Sequence, residues 1–209
     1  MQTTRKNPTH PAAAVTAGPQ TDGPTVALKE WGAAVHALLQ GRQTILLRKG
    51  GIHEKAFATP DEGGGFVLFP TVAHSHRERT RPAHHDLLDA GDADVADDHV
   101  VIRAGIEVVG VVAVHQPDRL AELEDLHIWT DDSIQQDRVR FRPTRPLQVL
   151  VIRALALPQP LVLARQESHG GCLSWIDVDL PWDGAGSAVF DRDRLEADLR
   201  RVRATVGAG

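Results

Sequence analysis

Residues 99–116 read HVVIRAGIEVVGVVAVHQ, and their reading decides the fold. Valine and isoleucine dominate the stretch. Their branched side chains are stiff at χ1 and pack well on a pleated surface, so the segment reads as β. Gly105 and Gly110 interrupt it, which predicts either two strands or one bulged strand. Working outward, LQVLVIRALAL (147–157) is the strongest strand in the chain. QTILLRK (43–49), FVLF (66–69, stopped by Pro70), PLVLA (160–164) and CLSWIDVDLP (172–181) read as further strands. DRVRFRP (137–143) alternates, with Val139 and Phe141 on one face and Arg138, Arg140 and Arg142 on the other.

Helical spacing is rarer. VALKEWGAAVHALLQG (26–41) sets Leu28, Trp31, Val35 and Leu38 three and four apart, a helix that Gly41 can end. RPAHHDLLDA (81–90) and DRLAELEDL (118–126) are short helix candidates, and the first leads into an acidic loop over 89–98. DRDRLEADLRRVRATV (191–206) carries Leu195, Leu199, Val202 and Val206 on one face, with acids early and arginines late as a helix dipole favours. Strands outnumber helices, and the connections are too irregular for repeated βαβ units. The expectation is an α+β single domain over residues 25–206, with a mixed or mostly antiparallel sheet and flanking helices at both ends. Residues 1–24, rich in Pro, Thr, Ala and Gly, read as a disordered tail.

The chain has 209 residues, 42% of them hydrophobic, enough for a core of ordinary size. No apolar run approaches the roughly 18–20 residues needed to span a bilayer. The N-terminus has no apolar core of a secretion signal, and the single cysteine, Cys172, excludes an internal disulfide. These features point to the cytoplasm and away from a membrane partner. Net charge is −5, and of the 23 basic residues nineteen are arginine, a bias that a high-GC genome produces by itself. Arginines concentrate at 77–81, 138–145 and 192–203, so a basic surface can coexist with a negative total.

TILLRKGGIHEKAF (44–57) holds the first candidate site. Adjacent strand residues face opposite ways, so Arg48 and Lys49 meet one ligand only if the backbone turns. Gly50 and Gly51 allow that turn and expose N–H groups that can form an anion-holding nest. The alternative is a turn with solvated charges. The G-x-x-x-x-G-K-[ST] phosphate loop is absent, as is the glutamate-dense helix of a Nudix hydrolase. His74 and His76 would share a face on a strand, and His84, His85 and Asp86 follow, a candidate metal cluster set against the alternative of surface histidines. Neither H-E-x-x-H nor a calcium-loop spacing occurs. Arg138, Arg140 and Arg142, with Arg145, form a ladder that could follow a phosphate backbone or could charge an edge strand against aggregation. Trp129 and Trp175 are the candidates for stacking on bases. In HGGCLSW (169–175), Cys172 near His169 suits an activated thiolate or a small core residue. No G-x-S-x-G elbow surrounds Ser174.

ALKEW (27–31), ALLQGRQTILLRKGGIHE (37–54), FVLFPT with His74 (66–74), RF (140–141), VLVIRALALPQP (149–160) and HGGCLSW (169–175) together resemble the bacterial family known as domain of unknown function 1802. The chain departs from that pattern at Ser75, where a glutamine is expected, and in the acidic 89–98 stretch, which resembles an insertion. The resemblance implies no activity. It marks Arg48, Lys49, Gly50, Gly51, Glu54, Thr71, His74, Arg140 and Cys172 as the ligand-binding candidates. LLQGRQTILLRK and IEVVGVVAVHQPDRLAEL are also similar to the openings of ASCH and PUA-like domains, which implies a small mixed β-barrel of the kind that binds RNA or modified bases. The expected function is a binding module for an anionic ligand, nucleic acid or nucleotide, with no cofactor and no committed catalytic or metal residue. The alternatives are a metal-dependent hydrolase using His74, His76, His84, His85 and Asp86, and a protein-interaction subunit.

Overall fold

The computed structural model describes residues 25–49, 65–171 and 173–207. The chain runs β1 (Thr25–Trp31), α1 (Gly32–Leu39), β2 (Ile45–Lys49), β3 (Phe66–Thr71), α2 (His76–Arg79), α3 (Asp86–Ala93) and β4 (His99–Ala113). It continues through a 3₁₀ run (Pro117–Leu126), α4 (Asp131–Ile134), β5 (Leu147–Ala164), β6 (Trp175–Val178), β7 (Ser187–Ala188) and α5 (Arg192–Val202). The strands form one mixed sheet in the order β2-β5-β4-β3-β1-β6, with β7 also on β5. Among the described residues only β1 and β3 run parallel, with Trp31 opposite Thr71; the remaining pairs are antiparallel. The α+β class with a mixed sheet is thus as the sequence predicts.

Residues 99–113 form one strand. Its register slips between Val108 and Gly110, which face Ile152 and Val151, so Val109 is the extra residue of a bulge. A larger slip occurs farther along. Ile102 faces Leu161 whereas Ala104 faces Ala156, so Leu157 to Pro160 loop out of β5. The expected separate strand PLVLA is therefore the far end of β5. Proline cannot donate a ladder hydrogen bond, and Pro158 and Pro160 are accommodated where pairing lapses. Val100, Ile102 and Leu163 beyond the slip join Ala27, Val67, Phe69, Ile176 and Val178 in a small core. The near half packs in the main core with α1, α3, α5 and the 3₁₀ run.

The segment expected as one helix from residue 26 divides at Trp31. Ala27 enters the small core and Leu28 the main one, so both faces of β1 are covered and no polar alternation marks it as a strand. The helix begins at Gly32, where α1 meets α3. A β-carbon at Gly32 would lie 2.7 Å from Gly91 Cα, so that pair of glycines sets the close crossing. It ends at Leu39, and Gly41 just beyond the Gln40 cap, with φ 70° in the left-handed region, turns the chain away. Three other local readings are corrected. DRLAELEDL winds as 3₁₀ rather than α. The acidic 89–98 stretch is helical as far as Ala93, and Asp94 is buried. DRVRFRP is no strand, because α4 continues into a π-helical turn over Gln135–Val139. Thr130 caps α4 by accepting the Ser133 N–H, and Asp131 and Asp132 favour the helix N-terminus, which outweighs five residues of alternation.

The sheet curls strongly. Four strand spacings separate β2 from β1 in the sheet order, about 19 Å if it were flat. Yet Arg48 on β2 lies 3.2 Å from Glu30 on β1. The curl brings the ends of β1, β2 and β3 to one place.

Candidate anion-binding site

Glu30 is the hub of that place. It is only 2% exposed, and a buried carboxylate requires partners. One oxygen pairs with Arg48 Nη1 and the other accepts the Trp31 N–H at 2.9 Å. Its main-chain carbonyl accepts the Thr71 hydroxyl at 3.1 Å, which ties the ends of β1 and β3 together. Trp31, the last residue of β1, stacks on His76 with centroids 4.1 Å apart and meets the Trp129 ring edge-on at 6.5 Å. Trp129 in turn stacks on His127, so four rings form a continuous column.

His76 is buried and its Nδ1 accepts the Ala73 N–H. Burial and the nearby Arg79 charge push its pKa down to about 4, so the ring is neutral and carries its proton on Nε2. Arg79 pairs with Asp137 at 2.9 Å and donates to Ser75 Oγ at 2.7 Å. Ser133 also donates to Asp137, which anchors the π-helical turn against α2.

That turn delivers Arg138. Its guanidinium carbon lies 5.8 Å from the Trp31 ring centre, a cation–π contact. Glu30, Arg48, Asp137 and Arg79 all act on its charge, and burial lowers its pKa. Arg48 and Arg79 each hold a carboxylate, whereas Arg138 makes no ion pair among the described residues. The arrangement therefore has three guanidinium groups, two carboxylates and an aromatic floor. Its surplus is one cation, located where solvent screens it poorly.

The sequence-predicted residues fall into several groups. Arg48 and Thr71 lie in this cluster. Lys49 is adjacent but engaged, since Nζ donates to the carbonyls of Val139, Phe141 and Arg142 at 2.9, 2.6 and 3.1 Å, and burial lowers its pKa. Arg140 is exposed on the turn, and its N–H bonds to Gln135 O. His74 is exposed and His76 is buried, so the two do not share a strand face. Gly50, Gly51, Glu54 and Cys172 lie outside the described residues. His169 accepts the Gln166 N–H through Nδ1 and sets its ring edge against Phe69.

Of the metal candidates, His85 bonds to the carbonyls of Arg77 and Thr80, and Asp86 pairs with Arg42. Among the described residues, no group of three or more His, Cys, Asp or Glu could hold a metal ion. Trp129 is buried and Trp175 meets Phe66 edge-on. Sequence reasoning misses Glu30, Trp31, Arg79 and Asp137, and it reads His76 as a metal ligand and Arg138 as a rung of the arginine ladder. The one sequence signal for the first two is a glutamate and a tryptophan set together after Lys29 at the end of the run TVALKEW.

No helix among the described residues is long and apolar enough to cross a membrane. No curated protein matches the chain. Among solved structures it is similar to a crystal structure of a mutant ZmASCH protein from Zymomonas mobilis, at 13% identity and a TM-score of 0.37. That match covers 87% of this chain and 97% of the other. A family model described as Domain of unknown function (DUF1802) matches residues 27–201, and the chain belongs to that family.

Proposed function

We propose that the strand-end cluster binds an anionic ligand, a nucleotide or a phosphate of nucleic acid, and that the protein is a binding module. The observation that carries this reading is Arg138. A partly buried guanidinium resting on Trp31 beside two neutralised pairs has lost much of its hydration, and a ligand anion would replace it. Arg140 adds positive potential, Arg48 holds the Glu30 carboxylate in place, and Thr71 ties the end of β3 to the Glu30 carbonyl. Gly50, Gly51 and Glu54, which follow β2 in sequence, stay with His74 and Cys172 among the candidate ligand contacts.

The test is titration of nucleotides and short oligonucleotides at low and at physiological salt. The expected result is binding that weakens as salt rises, because phosphate contacts release counterions. Arg138→Met should weaken it by about tenfold or more, the loss of one charge-assisted contact. Absence of binding by the unaltered protein at low ionic strength overturns the reading.

A further inference from the structure

The turn beyond Arg138 has a construction that the cluster itself does not require. Phe141 is 51% exposed, although the cores are apolar and within a few residues. The Arg142 guanidinium lies over its ring at 4.8 Å. Arg142 has φ 49°, the single non-glycine residue in the left-handed region among the described residues. Such a conformation is costly and persists where the surroundings impose it. Lys49 is what imposes it, because its three N–H groups hold the carbonyls on both sides of the Phe141–Arg142 peptide. The Arg145 N–H closes the turn onto Arg142 O at 2.9 Å. A half-buried cation is thus spent on fixing an exposed aromatic ring among arginines.

We infer that residues 140–145 are a preformed landing for single-stranded nucleic acid, with Phe141 as a stacking platform for a base and Arg140 and Arg142 as its phosphate contacts. The inference rests on the anion-binding reading above and narrows it: the ligand is a strand that leaves the Arg138 cluster across this turn, not a free mononucleotide. Stacking is indifferent to base identity because every base has a π-face, and a duplex hides those faces. The platform therefore favours unpaired strands with little sequence preference.

The experiment compares a mononucleotide, a labelled homopolymer of about ten nucleotides, the same length as duplex, and polyglutamate, with binding read by anisotropy and calorimetry. The unaltered protein should bind the single strand more tightly than the mononucleotide, the duplex or polyglutamate. Phe141→Ala should weaken the single strand about tenfold and leave the mononucleotide unchanged, while Phe141→Trp should retain single-strand affinity. Equal affinity for duplex or polyglutamate overturns the inference, as does a Phe141→Ala protein that binds the strand normally; both leave the Arg138 reading standing. Failure of the unaltered protein to bind either the mononucleotide or the strand overturns both. A Phe141→Ala protein that loses both ligands assigns the ring to the cluster's own structure and also overturns the inference.

Discussion

Two charged clusters among the described residues, one at Asp94 and one at Glu30, are finished differently. At the contact of α1, α3 and β4, Asp94 is 1% exposed. It takes a 2.8 Å bond from His36 Nε2 and three contacts of 2.8 Å from Arg103 Nε and Nη2. That bidentate fork with an imidazole beside it leaves the carboxylate saturated. At the strand ends, Glu30 and Asp137 each hold an arginine, and among the described residues Arg138 makes no ion pair, only a 3.4 Å bond from Nη1 to Asp137 O. A saturated cluster fixes helices to a sheet, whereas an unsaturated one has capacity for something that is not part of the chain. The difference is one of stoichiometry rather than burial.

The largest expected effect is on acid stability and tests the strand-end region. Burial, with the Arg81 charge second, pushes His127 down to about 3, and His76 lies at about 4. The unfolded chain takes up these protons near pH 6.5 while the fold refuses them. Their contribution is therefore complete above pH 6.5 and is lost as pH falls toward 4, by about 3 kcal/mol for each ring. Urea midpoints at pH 7, 5.5 and 4 should decline accordingly, and His127→Phe should flatten the profile. A profile unchanged by that substitution would show that the acid sensitivity arises elsewhere.

Next in size is Asp94→Ala. It strands Arg103 and His36 and should cost about 3 kcal/mol, read from denaturant midpoints, with nucleotide affinity unaltered. Arg138→Met should do the reverse, losing about tenfold in affinity, about 1.4 kcal/mol, with stability unchanged or slightly higher. If both substitutions destabilise equally, the contrast between the clusters is broken. The smallest effect sharpens it at the rim. Lys49→Met should cost about 1 kcal/mol while speeding amide exchange over residues 139–142, since it removes the bonds that hold the turn.

Much of the architecture was legible because it follows from unambiguous patterns. Leu195, Leu199, Val202 and Val206 are all buried at the helical spacing that the sequence showed. β1 misled because strands covered on both faces lose their alternation, and Leu28 to Leu38 then mimic a helix across a strand–helix junction. Arg48 and Thr71 could be found as polar ends of apolar strands. Arg138 could be seen but was set on a strand face, because the Thr130 cap that winds the segment lies eight residues upstream. Glu30 and His76 acquire their roles only through the curl, which no local pattern encodes.

The Arg48–Glu30 ion pair joins residues only 18 apart in sequence, yet its formation must wait. β2 acquires its place through β5, and β1 has β6 as its outer neighbour, with Ala27 opposite Ile176. A ribosome must therefore deliver most of the chain before Glu30 and Arg48 can meet. Non-local pairing of this kind is slow to nucleate. The strand-end cluster of the nascent protein therefore stays in separate pieces until β5 has been made, long after both of its acidic and basic partners have left the ribosome.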